Sequence, residues 1–110
     1  MSKYSENRTQ FKDVDCLVQA LIDMGFTKDE IEVQETGNFL YDYHNSKTKY
    51  LDGKNYDTAN VIIRQKYINA RVSGGASNDL GFRKNADGTY GAIISEYDSS
   101  YISPFITLCF

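Results

Sequence analysis

Few side chains in this chain combine the type and spacing that catalysis requires. The single histidine, His44, lies in a polar, tyrosine-rich stretch with no cysteine beside it, so neither a nucleophilic triad nor a histidine metal set assembles around it. It reads as a solvated loop residue. Glu96 and Asp98, two apart at the end of an expected strand, share a face and have the chemistry of a cation site or an acid/base pair, although strand-end carboxylates are more often simply exposed. The run Gly74-Gly75-Ala76-Ser77-Asn78-Asp79 is glycine-rich, but it lacks the Gly-x-x-x-x-Gly-Lys pattern and leads into a strand instead of a helix. A structural turn fits it better, with Asn78 and Asp79 hydrogen-bonding the backbone. No Gly-x-Ser-x-Gly elbow occurs. Enzymatic chemistry is not indicated, and neither a metal nor a cofactor is expected.

What remains is recognition. Nine tyrosines with no tryptophan exceed what a small core needs, and tyrosine suits interfaces because its ring is apolar and its hydroxyl tolerates water. Tyr41, Tyr43, Tyr50 and Tyr56 crowd one polar stretch and, with Asn78, Asp79 and Arg83, form the candidate binding set. Two occupants suit such a set. One is another protein. The other is a small ligand or nucleotide, held by the turn Gly74 to Asp79 and Arg83 with the tyrosines as a stacking wall.

The elements that must position these residues follow from apolar spacing. Tyr4 to Lys12 alternates as an edge strand with few burying positions. Asp13 caps a helix running to Met24, in which Val14, Leu17, Val18, Leu21 and Ile22 form one apolar stripe; Gly25 stops it and Phe26 folds back on its last turn. Thr27 to Glu30 has capping-box spacing, after which Ile31 to Gln34 extends as a strand. Glu35 to Thr58 is polar, with Asp52-Gly53 favouring a hairpin turn, and Ala59 to Ile68 reads as a strong strand. Leu80 and Phe82 then share one face of a short strand, Asn85-Ala86-Asp87-Gly88 makes a hairpin loop, and Thr89 to Tyr97 returns antiparallel. The last residues place Ile102, Phe105, Ile106, Leu108, Cys109 and Phe110 at the terminus, a patch expected to pack on an open sheet face or to meet a second copy as a homodimer.

Composition narrows the classes. A chain of 110 residues is one small domain, and 41% hydrophobic with 25% charged residues is ordinary globular usage. No apolar run is long enough for a membrane-spanning helix, and the N-terminus lacks a signal-peptide core, so the expected location is cytoplasmic with no membrane partner. Twelve basic against fifteen acidic residues give a net charge of −3, which disfavours nucleic acid. Arg64 and Lys66, which share a strand face in this reading, with Arg71, Arg83 and Lys84 nearby, read as a solvated positive stripe. Cys16 and Cys109 form no metal-type pair and read as reduced core residues.

The opening Met-Ser-Lys-Tyr-Ser-Glu-Asn-Arg-Thr-Gln-Phe-Lys-Asp, the run from Ser73 to Asp98, and Leu40-Tyr41-Asp42-Tyr43, where Asp42 stands in place of a glycine in a Leu-Tyr-Gly-Tyr segment, carry a family likeness. Through them the chain resembles the hypothetical chloroplast reading frame thirty-five family, a domain of unknown function with plastid, cyanobacterial, bacterial and phage relatives. The resemblance covers roughly residues 1 to 34 and 59 to 98, and the chain departs from it around residues 44 to 57 and at the C-terminus. It implies a small soluble protein whose bacterial relatives are often encoded beside an AAA-type ATPase, hence partner binding, and it supplies no catalytic residue to carry across.

These lines converge on one α+β domain: a mostly antiparallel sheet of about four to five strands, covered on one face by the helix Asp13 to Met24. The function expected is a non-enzymatic protein-interaction module acting on an ATPase or, if the chain is phage-encoded, on a host defence protein. The alternative is a small-ligand or nucleotide-binding protein.

Overall fold

Helix α1 (Val14–Asp23) forms where the apolar stripe predicts it. The Asp13 carboxylate accepts the Cys16 amide at 2.8 Å, and Leu17 and Leu21 are buried with Val14, Val18 and Ile22 packed beside them. At the other end Gly25 adopts φ 111, its amide donates to the Ile22 carbonyl, and the Phe26 amide donates to the Leu21 carbonyl at 3.2 Å while the Phe26 ring enters the core. A single 3-10 turn, Lys28–Glu30, follows, and the Thr27 amide donates to Glu30 Oε1 at 2.9 Å.

The computed structural model describes residues 4–8, 11–70 and 78–95. Its strands are β1 (Tyr4–Arg8), β2 (Ile31–Phe39), β3 (Thr58–Ile63), β4 (Leu80–Lys84) and β5 (Tyr90–Ser95), and a short helix α2 (Gln65–Asn69) follows β3. The fold is α+β: an antiparallel sheet in the order β1-β5-β4-β3-β2 with one main helix. Strands β2 to β5 form a meander with Val61 opposite Phe82 and Phe82 opposite Ala92. β1 pairs with β5 at the far edge, so α1 carries the chain from one edge of the sheet to the other.

The sheet is buried on both faces. Val61, Ile63, Leu80, Phe82, Ala92 and Ile94 point toward α1. Ile62 and Ile93, one residue out of phase, point the opposite way and pack with Tyr4, Leu40 and Ala59, with Tyr50 and Leu51 over them. Among the described residues, the second face is covered by the segment between β2 and β3. Gly81 makes a close approach there. A Cβ built on it would lie 2.7 Å from Ala59 Cβ and 2.9 Å from Leu40 Cδ2, so a side chain there would force its neighbours to shift.

Several expectations are corrected. β2 continues to Phe39 instead of ending at Gln34, because a bulge between Val33 and Asn38 absorbs the polar residues; Gly37 takes φ 84 there, and the Asn60 side chain donates to the Gln34 and Glu35 carbonyls at 3.2 and 2.9 Å. β3 stops at Ile63 where a strand to Ile68 was expected. Arg64 turns the chain, and Ile68 reaches the core from α2, so Arg64 and Lys66 do not share a strand face. Asp52-Gly53 makes a turn inside the loop and joins no pair of strands; the Asp52 carboxylate accepts the Lys54 and Asn55 amides, each at 2.8 Å. Cys16 is exposed, not core, since it lies off the Leu17–Leu21 stripe, and its thiol contacts Asp13 at 3.3 Å. The hairpin loop is as expected: Gly88 has φ 88, and the Asn85 amide donates to the Thr89 carbonyl at 2.7 Å. The Gly74-Gly75 turn, Glu96 and Asp98, Cys109 and the apolar residues 102–110 with their homodimer expectation lie outside the described residues.

Candidate functional site

Asp79, at the start of β4, is the hub of one end of the sheet. Its carboxylate is almost fully buried and accepts the Arg64 guanidinium at 2.7 Å, the Tyr41 amide at 2.9 Å and the Gln65 amide at 2.8 Å. The Gln65 bond explains why β3 ends and α2 begins there, because it satisfies one of the free amides of the first helical turn. Burial pushes the Asp79 carboxyl above its ordinary value, and Arg64 with the two amides works against that rise. The backbone carbonyl of the same residue accepts the Tyr4 hydroxyl at 2.7 Å, tying β1 to the hub.

Arg64 is shared between three acceptors. It forms a two-pronged ion pair with Glu32 on β2, donates to the Phe39 carbonyl at 2.8 Å, and lies 5.4 Å from the Tyr41 ring centroid. Burial lowers its proton affinity, but the two carboxylates outweigh this and hold the guanidinium above its usual pKa. Its charge is therefore spent internally, as a latch between β2, β3 and β4 and not as a claw for an external anion.

Around this latch opens a cleft of about 580 Å³ lined by Tyr41, Tyr43, Asn45, Gln65, Lys66 and Asn69 beside the ion-paired residues. Tyr41, Tyr43 and Asp79 of the expected set meet here. Asn78 supports it from beneath: its Oδ1 accepts the Tyr43 amide at 3.0 Å and its Nδ2 donates to Ser95 Oγ at 2.9 Å. Asn78 and Asp79 thus do hydrogen-bond backbone, but that of residues 41, 43 and 65 across the fold.

The other expected residues lie elsewhere. Tyr50 is half-buried on the second sheet face, 6.0 Å centroid to centroid from Tyr4, and burial with the nearby Asp42 carboxylate raises its hydroxyl pKa. Arg83 donates to the Thr58 carbonyl at 3.1 and 3.0 Å, clamping β4 to β3, and does not reach the cleft. Tyr56 is 45% exposed and stands edge-on to Phe39, with ring centroids 5.7 Å apart. His44 is exposed and rests against the Tyr43 ring at 4.0 Å.

The segment from Leu40 to Asp57 that carries these tyrosines is closed by its own ends. The Leu40 amide donates to the Asp57 carbonyl at 3.0 Å, and the Asp57 amide donates to the Thr48 carbonyl at 2.7 Å. The buried Asp57 carboxylate then accepts the Thr48 hydroxyl at 2.5 Å and the Tyr50 and Leu51 amides at 2.8 and 3.0 Å. Asp42, also buried, accepts the His44 and Ser46 amides at 2.9 and 3.1 Å.

Glu32, Gln65, Asp42, Asp57, Lys47 and Lys49 were not singled out by spacing. For the aspartates a signal existed, since an aspartate beside apolar or aromatic residues in a long polar stretch is the residue type that caps amides. Among the described residues no group of three or more His, Cys, Asp or Glu is placed to hold a metal ion, and no helix is long and apolar enough to cross a membrane. No family model, no curated protein and no solved structure matches the chain.

Proposed function

We propose that the protein is a non-enzymatic protein-interaction module that docks through the segment from Leu40 to Asp57. The observation behind this reading is that two large aromatics, Tyr43 at 42% and Tyr56 at 45% exposure, stand on a long loop whose backbone is fixed from within by Asp42 and Asp57. Long loops held in one conformation are commonly functional, and a preorganised aromatic surface loses little entropy on association. The partner classes are an AAA-type ATPase, which the family resemblance implies, or, for a phage-encoded chain, a host defence protein.

Photo-crosslinking tests this. A crosslinking amino acid at Tyr56 or Tyr43 should capture one defined protein in the native cell, while the same group at Gln19, exposed on α1, should not. Equal labelling from all three positions would remove the docking reading.

The cleft beside Arg64 favours a second reading, a small-ligand or nucleotide-binding protein, because a concavity of about 580 Å³ lies within the range of ligand sites. A thermal-shift screen separates the two, since a ligand at a hundredfold its Kd stabilises by about 2.7 kcal/mol.

A further inference from the structure

Lys47 and Lys49 belong to an acidic protein, yet both are exposed and neither pairs with a carboxylate among the described residues. The alternation of an extended chain explains their placement. Thr48 between them turns inward to Asp57, so its two neighbours project to the same outer side. There they converge on aromatic rings: Lys47 Nζ lies 4.1 Å from the Phe39 centroid and 5.2 Å from that of Tyr56, and Lys49 Nζ lies 4.6 Å from the Tyr56 centroid. Two like charges thus share one exposed ring, which holds each ammonium in place but takes up none of its strong donor capacity.

We infer that this patch, Phe39, Lys47, Lys49 and Tyr56, receives an extended acidic segment of the partner protein, with two carboxylates at alternate positions on the face turned toward the two ammonium groups. The inference rests on the docking reading above and gives the partner its chemistry. Lysines two residues apart on an extended chain are spaced about 6.5 Å, and acidic residues two apart on a facing strand repeat that distance. The ring contacts order the lysines before binding, so little side-chain freedom is lost when carboxylates arrive. A nucleic acid fits less well, because two lysines neutralise only two phosphates and the net charge of −3 repels a long polyanion.

The test uses the full chain and a labelled synthetic peptide, Gly-Glu-Leu-Glu-Leu-Glu-Gly, followed by fluorescence anisotropy. Saturable binding that weakens as salt rises is expected, falling by about ten-fold or more in the double variant Lys47→Gln/Lys49→Gln, surviving Lys47→Arg/Lys49→Arg, and weakening in Tyr56→Ala. Thermal melts of all variants should match the parent, since the substituted side chains are exposed. Absent binding, binding indifferent to the Gln variant, or an oligothymidylate that binds as tightly would each overturn the inference. Salt-sensitive self-association of the chain by sedimentation, lost in the Gln variant, would also overturn it by making a second copy the occupant. Crosslinking from Tyr56 to a partner contact that holds no acidic residues would leave the docking reading standing and remove this chemistry alone.

Discussion

Arg64 Nη1 meets Asp79 Oδ2 at 2.7 Å, joining the end of β3 to the start of β4, with Asp79 almost wholly removed from water. The same carboxylate holds the amides of Tyr41 and Gln65, so one side chain sets the path of three segments. Removing it by Asp79→Ala leaves a largely buried guanidinium and two backbone amides without their acceptor. A loss of about 3 kcal/mol is expected in urea denaturation, toward the lower end for a broken buried pair because Glu32 still holds Arg64. A loss below about 1 kcal/mol would show that the latch contributes little.

Gly81 faces Ala59 and Leu40 too closely for a side chain unless the neighbours shift. Gly81→Ala should cost about 1 to 3 kcal/mol by overpacking, and Ala59→Gly in the same chain should recover part of that loss. Additive costs in the double-mutant cycle would place the clash elsewhere.

Asp57 closes the loop between β2 and β3 from inside. With Asp57→Ala the Thr48 hydroxyl and the Tyr50 and Leu51 amides lose their acceptor, which should open residues 40–57 before the sheet unfolds. Hydrogen exchange should show protection lost in that segment and kept in β3 and β5. Uniform loss across the chain would make the loop part of the global unfolding unit.

Asp13 and Asp52 set an acid dependence. Both carboxyls lie below their ordinary value of 3.8, chiefly because Asp13 accepts the Cys16 amide and Asp52 the Asn55 amide. The folded state therefore binds fewer protons than the unfolded one below that value, so their stabilisation is present above it and disappears as pH falls through the lowered values. Asp13→Asn keeps a capping oxygen without a titrating charge and should flatten the decline of Tm in that acid window. An unchanged profile would assign the decline to other groups.

Much of the skeleton was legible because it depends on neighbours in sequence. The α1 stripe, its Asp13 cap and Gly25-Phe26 stop, and the Asn85 to Gly88 turn each require residues within a few positions of one another. The end of β3 was not legible. After Val61-Ile62-Ile63, the alternation of Arg64 to Ile68 still fits a strand with one mixed face, and what ends the strand is a hydrogen bond from the Gln65 amide to the Asp79 carboxylate, next to β4. The continuous apolar triplets Val61-Ile62-Ile63 and Ala92-Ile93-Ile94 did carry a further message, that both sheet faces are covered.

By itself the sequence determined α1 with its cap and stop, the Asn85 to Gly88 turn and the α+β class, since helical stripes, caps and tight turns are written in short-range spacing. Only the tertiary structure decided how the tyrosine-rich stretch divides. It sent Tyr41 and Tyr43 to the Arg64 cleft, Tyr50 to the second core and Tyr56 to the lysine patch, and it withdrew Arg83 to clamp β4 on β3. The physical reason is that Asp57 and Asp79 hold backbone amides through bonds that depend on where the chain returns in space, which residue spacing alone does not specify.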